Sequence, residues 1–193
     1  MLDEKKISES RRRAEKRIKE GIIFKDKPRF VEFFLVNSRN SLDSAKLLFD
    51  VSADEKLKKD LGFLKFDGFL WVINASYYSM FYLARALLES KGINVKTDLS
   101  IHSVVFDALV YYFYLTGRIE RKFIEEFNEA GLEASEVLGK EKAKALMDSY
   151  SNEKEKRGRF TYEMGEVAMK NKAQTSLERA KGFREEIRKM IEI

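Results

Sequence analysis

Apolar residues recur along most of this chain at alternating intervals of four and three, the mark of helices that bury one face. Val31, Leu35, Ser38, Leu42, Ala45 and Phe49 form one such run, which predicts a helix starting soon after Pro28. A second runs from Phe69 to Lys91 and stops at Gly92, a C-cap position. Ser100 can cap a third, with Val104, Val105, Ala108, Leu109 and Tyr112 leading to Gly117. A fourth carries Ile119, Phe123, Phe127, Ala130, Ala134 and Leu138, and a shorter one follows through Ala143, Leu146 and Tyr150. The final helix sets Ala173, Leu177, Ala180, Ile187 and Ile191 on one side. Residues 51–67, Lys-rich and interrupted by Gly62, read as a long connection, and no stretch alternates with the period of a strand. The pattern predicts an all-α, up-and-down bundle of four to five main helices with antiparallel neighbours.

Pro28 divides this bundle, residues 30–193, from a basic N-terminal extension over residues 1–29. The extension holds eleven Lys and Arg against six acidic residues, which accounts for the whole net charge of +5. Polyanion attraction is therefore expected in the extension and in local clusters rather than over the general surface. A thin apolar stripe at Ile7, Ala14, Ile18 and Ile22 is too narrow to hold a helix alone, so that helix must dock or fray.

Composition removes several kinds of chemistry. With 193 residues the chain suits one well-buried core. It has no cysteine, so disulfides, thiolate zinc sites and a cysteine nucleophile are excluded. His102 is the only histidine, which excludes a two-His metal site or a two-His acid–base pair within one chain. No metal and no cofactor is expected, since no acidic spacing resembles a hard-cation loop and no Gly-rich phosphate loop is present. No apolar run is long enough to span a bilayer, and the charged start lacks the core of a signal peptide, so a cytoplasmic setting is expected.

Candidate chemistry lies in two stretches and one isolated side chain. In the Phe69–Lys91 helix, Ile73, Tyr77, Met80, Ala84 and Leu87 share a core face, with Tyr77, Phe81, Ala84 and Leu88 expected to be buried. Ala75, Ser76, Ser79 and Ala84 are small enough to let a neighbouring helix approach closely. Asn74, Tyr78, Tyr82 and Arg85 form an adjacent stripe with two readings. Either they line a groove for a phosphate or a base, or Arg85 snorkels outward or pairs with Glu89 while the phenols edge the core. The second stretch, Arg157 to Tyr162, places Arg157, Arg159 and a phenol within six residues; Gly158 and Gly165 bracket it and predict a turn. It reads either as a phosphate-binding pair of guanidinium groups or as a solvated charged connection. His102, in the first turn of its helix, reads as a structural hydrogen-bonding group or as a proton carrier.

Tyr77-Tyr78-Ser79-Met80-Phe81-Tyr82-Leu83-Ala84-Arg85, followed by Arg157 to Tyr162, resembles the HEPN superfamily (higher eukaryotes and prokaryotes nucleotide-binding domains). The likeness runs from about Phe30 onward and is greatest to a prokaryotic branch often found beside a minimal nucleotidyltransferase. It implies a HEPN-type bundle and a homodimer. It also implies a role as nucleotide- or RNA-binding partner of a nucleotidyltransferase in a toxin–antitoxin-like pair. Catalytic members are metal-independent ribonucleases in which an Arg is followed, after four to six residues, by a His. Here Tyr162 stands at that distance from Arg157 and Met164 from Arg159, while Phe160 and Thr161 replace the Ala and Asp of the branch's usual ending. Fast 2′-hydroxyl chemistry needs a proton carrier near neutrality, which a phenol of ordinary pKa about 10 is not. The resemblance thus implies a non-catalytic or weakly active protein binding through Arg85, Arg157 and Arg159. The alternatives are a ribonuclease using Arg157 with His102 or Tyr162, and a dimeric adaptor with no nucleic-acid ligand.

Overall fold

The helix with the richest apolar face takes the centre. In the computed structural model, which describes residues 3–96, 101–148 and 159–191, with side chains described outside 140–148 and 159–168, α4 (Phe69–Ser90) is surrounded by other helices. Ile73, Tyr77, Met80, Ala84 and Leu87 are all buried, as are Phe81 and Leu88, as their spacing predicts. Against α4 pack α2 (Val31–Ala53), α5 (Ile101–Leu109), α6 (Arg121–Asp148) and α7 (Arg159–Ile191), while α1 (Glu4–Lys19) packs on α5. A short α3 (Glu55–Asp60) follows α2. The core joins Leu42 and Ala45 of α2, Val105 and Leu109 of α5, Ile124 and Phe127 of α6, and Phe183 and Ile187 of α7.

The α2–α4 pair shows why small residues sit where they do. Ser38 Oγ donates to the Ser79 carbonyl at 2.9 Å, and Ser79 Oγ donates to the Ser38 carbonyl at 2.9 Å. Two reciprocal bonds of this kind need the two backbones close together, which a larger residue at either position forbids. The Phe34–Tyr82 and Phe49–Phe69 ring contacts place the start of α2 beside the end of α4, and its end beside the start of α4, so the two run antiparallel. Glu89, buried near the end of α4, accepts hydrogen bonds from the backbone N–H groups of Arg29 and Phe30. It caps α2 from another helix, where the residue at the cap position, Phe30, has no side-chain oxygen to offer.

Four sequence expectations are corrected. The chain does contain strands: β1 (Ile23–Lys25) pairs antiparallel with β2 (Ile93–Val95), with Ile23 opposite Val95 and Lys25 opposite Ile93. Three residues are too few for alternation to register as a pattern. The stretch 51–67 holds the end of α2 and all of α3, which Asp54 caps by accepting from the N–H groups of Lys56 and Leu57. The fourth and the shorter helix are one, α6. Gly165 lies inside α7 and marks no turn.

The apolar stripe of the N-terminal extension docks. Ile7 and Ala14 are buried, and Ile18 and Ile22 pack against the core. Asp3 caps α1 by accepting from Lys6 N–H, and Lys16, Arg17 and Lys19 sit in its last turn, where cations oppose the helix dipole. Gly92 holds φ near +67°, and a Cβ there would lie 2.9 Å from the Asp26 carbonyl oxygen. The turn out of α4 therefore needs glycine both for its left-handed backbone and for the close pass of the strand pair.

Candidate functional site

A cleft of about 400 Å3 opens between α1, α4, α5 and α6. Its inner wall carries Asn74, Tyr77 and Tyr78 from α4 and His102 from α5. Phe106 and Phe127 add apolar surface, and Lys6 and Arg13 come from α1. Gly131 of α6 faces Tyr77, and a Cβ there would lie 3.2 Å from the phenol ring, so the glycine makes room for it.

His102 is held from several sides. Its Nδ1 lies 2.7 Å from Tyr77 Oη, and its ring packs against Phe81 with 4.4 Å between centroids. Tyr77 and Tyr78 lie 5.5 and 5.9 Å away on the same measure. Burial lowers the His102 pKa, so the imidazole is neutral at pH 7. Burial, assisted by the neighbouring Tyr78, pushes the Tyr77 phenol far above its ordinary value, so it stays protonated. The contact joins two neutral groups, and Nε2 makes no hydrogen bond among the described residues.

Asn74 is the second unusual group. It is buried, its amide nitrogen donates weakly to the Leu70 carbonyl at 3.4 Å, and its Oδ1 has no partner. A buried acceptor without a donor costs roughly 1–3 kcal/mol. The oxygen is itself closed off from solvent, so a ligand's N–H or O–H can offset that cost only if the Asn74 amide turns toward the cleft it lines.

The cationic rim is more restrained than the sequence predicts. Asp107 of α5, wholly buried, accepts from Ser10 Oγ at 2.6 Å and from Arg13 Nε and Nη2 at 2.8 Å each. Arg17 pairs with it as well and also donates to Ser103. The Asp107 hydrogen bond is the main reason the Arg13 pKa rises further. Two of the extension's arginines thus fasten α1 to α5, although Arg13 still borders the cleft and its Nη1 makes no hydrogen bond among the described residues.

Of the residues singled out in the sequence, Asn74, Tyr78 and His102 meet in this cleft. Tyr82 lies along a separate open groove between α2 and α4, to which Asn74 and Tyr78 also contribute. Arg85 is turned elsewhere: it is buried with its guanidinium carbon 4.5 Å from the centre of the Phe34 ring. Glu89, one turn on, is occupied by the α2 N-terminus. Burial lowers the Arg85 pKa, with Glu89 and Tyr82 acting in the opposite direction. Arg157 lies outside the described residues; Arg159 and Tyr162 fall at the start of α7, where side chains are not described.

Lys6, Arg13 and Asp107 were not among the sequence candidates. One signal was available for Asp107: a single carboxylate among Val104, Val105, Ala108 and Leu109 on an apolar helix face requires a buried partner. Ser10, Arg13 and Arg17, at helical spacing on one side of α1, are that partner.

No group of three or more His, Cys, Asp or Glu among the described residues is placed to hold a metal ion, and no described helix is long and apolar enough to cross a membrane. Compared with protein-family models, with curated proteins and with solved structures, the chain matches none.

Proposed function

We propose that this chain is a HEPN-type helical bundle that binds a nucleotide or single-stranded RNA in the cleft between α1, α4, α5 and α6. In this reading it is non-catalytic or weakly active. It acts as a homodimer and as the partner of a nucleotidyltransferase in a toxin–antitoxin-like pair. The observation that carries the binding is the exposed Tyr78 ring, next to the unpartnered Asn74 amide, in a cleft rimmed by Lys6 and Arg13. A base can stack on the Tyr78 ring while its phosphate meets the rim cations, and can donate an N–H to the Asn74 amide once that side chain turns toward the cleft.

The groove between α2 and α4 supports the dimer. Asn37, Ser41, Ser44 and Leu48 line one side and Trp71, Ala75, Tyr78 and Tyr82 the other, each set at the four–three spacing of a helix seam. Because Asn74, Tyr78 and Leu138 line both groove and cleft, a second copy seated there would border the ligand.

One observation favours a second reading, the metal-independent ribonuclease. A neutral imidazole braced by Tyr77 shares the cleft with the Arg13 guanidinium, the two kinds of group that phosphodiester cleavage through a 2′-hydroxyl requires. Anisotropy titration of a labelled single-stranded RNA, with competition by nucleotides, tests the binding. Tyr78→Ala and Asn74→Leu should each weaken it about tenfold, the scale of one stacked base or one buried hydrogen bond. Unchanged affinity in both variants overturns the proposal. RNA cleavage that persists in chelator and disappears in His102→Ala makes the ribonuclease reading the correct one.

A further inference from the structure

On another side of the bundle, α2 and α7 flank Leu83 of α4 and enclose a small cavity of about 130 Å3. Leu35, Val36 and the buried Ser38 form its apolar and small-residue lining. Three arginines surround it: Arg39 from α2, and Arg184 and Arg188, one turn apart, from α7. Glu32 is the single carboxylate in the lining. None of these residues lines the cleft that holds His102.

Two of these guanidinium groups, Arg39 and Arg184, differ from the arginines that fasten other helices of the fold to one another. Arg13 and Arg17 have Asp107, and Arg179 has Glu133 at 2.8 Å and Glu129 at 3.5 Å. Arg39 and Arg184, by contrast, make no hydrogen bond or ion pair among the described residues. Asp43, the other acid near them, is paired with Lys46 at 3.7 Å. Arg184 is partly buried, and burial together with the fields of Arg188 and Arg39 makes its charge harder to keep, with Asp43 acting the other way. Like charges held this close cost energy that an anion between them would recover.

We propose that this cavity binds the phosphate group of a ligand. Guanidinium forks match tetrahedral oxyanions bidentately, and more than one fork can engage different oxygens of the same phosphate. Arg39 and Arg184 together offer more donors than a carboxylate's two oxygens can use, which suits a phosphate. The site is independent of the nucleotide or RNA proposed for the His102 cleft.

The test is thermal unfolding of the full chain in inorganic phosphate against chloride at matched ionic strength, for the wild type and Arg39→Gln. Arg39 is exposed on α2, so its replacement leaves the core intact. Phosphate should raise the wild-type midpoint beyond the chloride control, and the apparent phosphate affinity should fall about tenfold in Arg39→Gln and further when Arg184→Gln is added. In low salt without phosphate, Arg39→Gln should unfold at or above the wild-type temperature, because repulsion is relieved. Equal phosphate effects in wild type and Arg39→Gln, or none in the wild type, would overturn the site. Displacement of phosphate by AMP but not by adenosine assigns a monoester as the natural group, and displacement by an RNA oligomer that AMP does not match assigns a backbone diester.

Discussion

Tyr77 Oη and His102 Nδ1, 2.7 Å apart, join the central helix to α5 at the base of the cleft, with Phe81 packed over the imidazole. The pairing has a consequence for stability against pH. Burial places the folded-state pKa of His102 below its ordinary value of 6.5, so the unfolded chain binds the proton more readily. The contribution from His102 is complete above pH 6.5 and is lost as pH falls from there through the lowered folded-state value. Urea unfolding at neutral and mildly acidic pH should show the wild type losing more stability than His102→Gln over that interval. Equal losses in both would mean that His102 does not report on folding.

Asp107 presents a larger stake. It is wholly buried and satisfied by Ser10, Arg13 and Arg17, so Asp107→Asn removes the charge that both guanidinium groups lean on. Breaking a buried pair typically costs about 3–5 kcal/mol, and the half-exposed Arg13 argues for the low end, about 3 kcal/mol. The loss should appear in urea melts. It should also appear as faster proteolysis between α1 and α2, because α1 is then held mainly by its narrow apolar stripe.

The helices were legible in the sequence because their signal repeats over many residues. The four–three pattern from Phe69 onward places Ile73, Tyr77, Met80, Ala84 and Leu87 in the core, and Gly92 ends the helix with the positive φ its position demands. The strand pair was not legible, since three residues against three carry no period and the partners lie seventy residues apart. The candidate site was half legible. Asn74, Tyr78 and His102 stand out as polar or ring-bearing groups on apolar helices, and they do share the cleft. Lys6 and Arg13 were hidden because a basic extension looks alike in sequence whether it floats or docks. The docking of α1, through its apolar stripe and the pairing of Asp107 with Ser10, Arg13 and Arg17, brings those cations to the rim.

Arg85 illustrates how one residue type serves two purposes. Stacked on Phe34 and buried, it is expected to act through packing. Arg85→Met keeps most of that contact and should change stability by less than about 1 kcal/mol, whereas Arg85→Ala should cost about 2 kcal/mol. RNA affinity should be the same in Arg85→Met and the wild type. A tenfold loss of affinity there would return Arg85 to the ligand-binding set.

Trp71 is 50% exposed on the rim of the α2–α4 groove. If a second copy covers that groove, Trp71→Glu places a charge in a desolvated seam. Light scattering should then report a dimer for the wild type and a monomer for the variant at the same concentration, with helical content unchanged. A wild-type monomer at micromolar concentration and above would remove the dimer, and with it the idea that a partner borders the cleft.

The last prediction separates the two sets of cations that could meet a polyanion. For single strands, log affinity falls with log salt at about 0.7 per phosphate neutralised. Lys6→Gln removes a cation from the cleft rim, so the slope should flatten by about 0.7 if Lys6 contacts a phosphate. Changing Arg157 and Arg159 together to Gln should flatten it by about 1.4 if both guanidinium groups do the same. If the two sets serve one strand, the combined variant should show the sum of the two changes. Tyr162→Phe should leave affinity nearly unaltered, since phosphate binding needs the guanidinium charge and not the phenol. Slopes that stay at the wild-type value in all three charge variants would place the polyanion elsewhere on the molecule, whereas the absence of RNA or nucleotide binding even at low salt would leave the ligand-free adaptor standing.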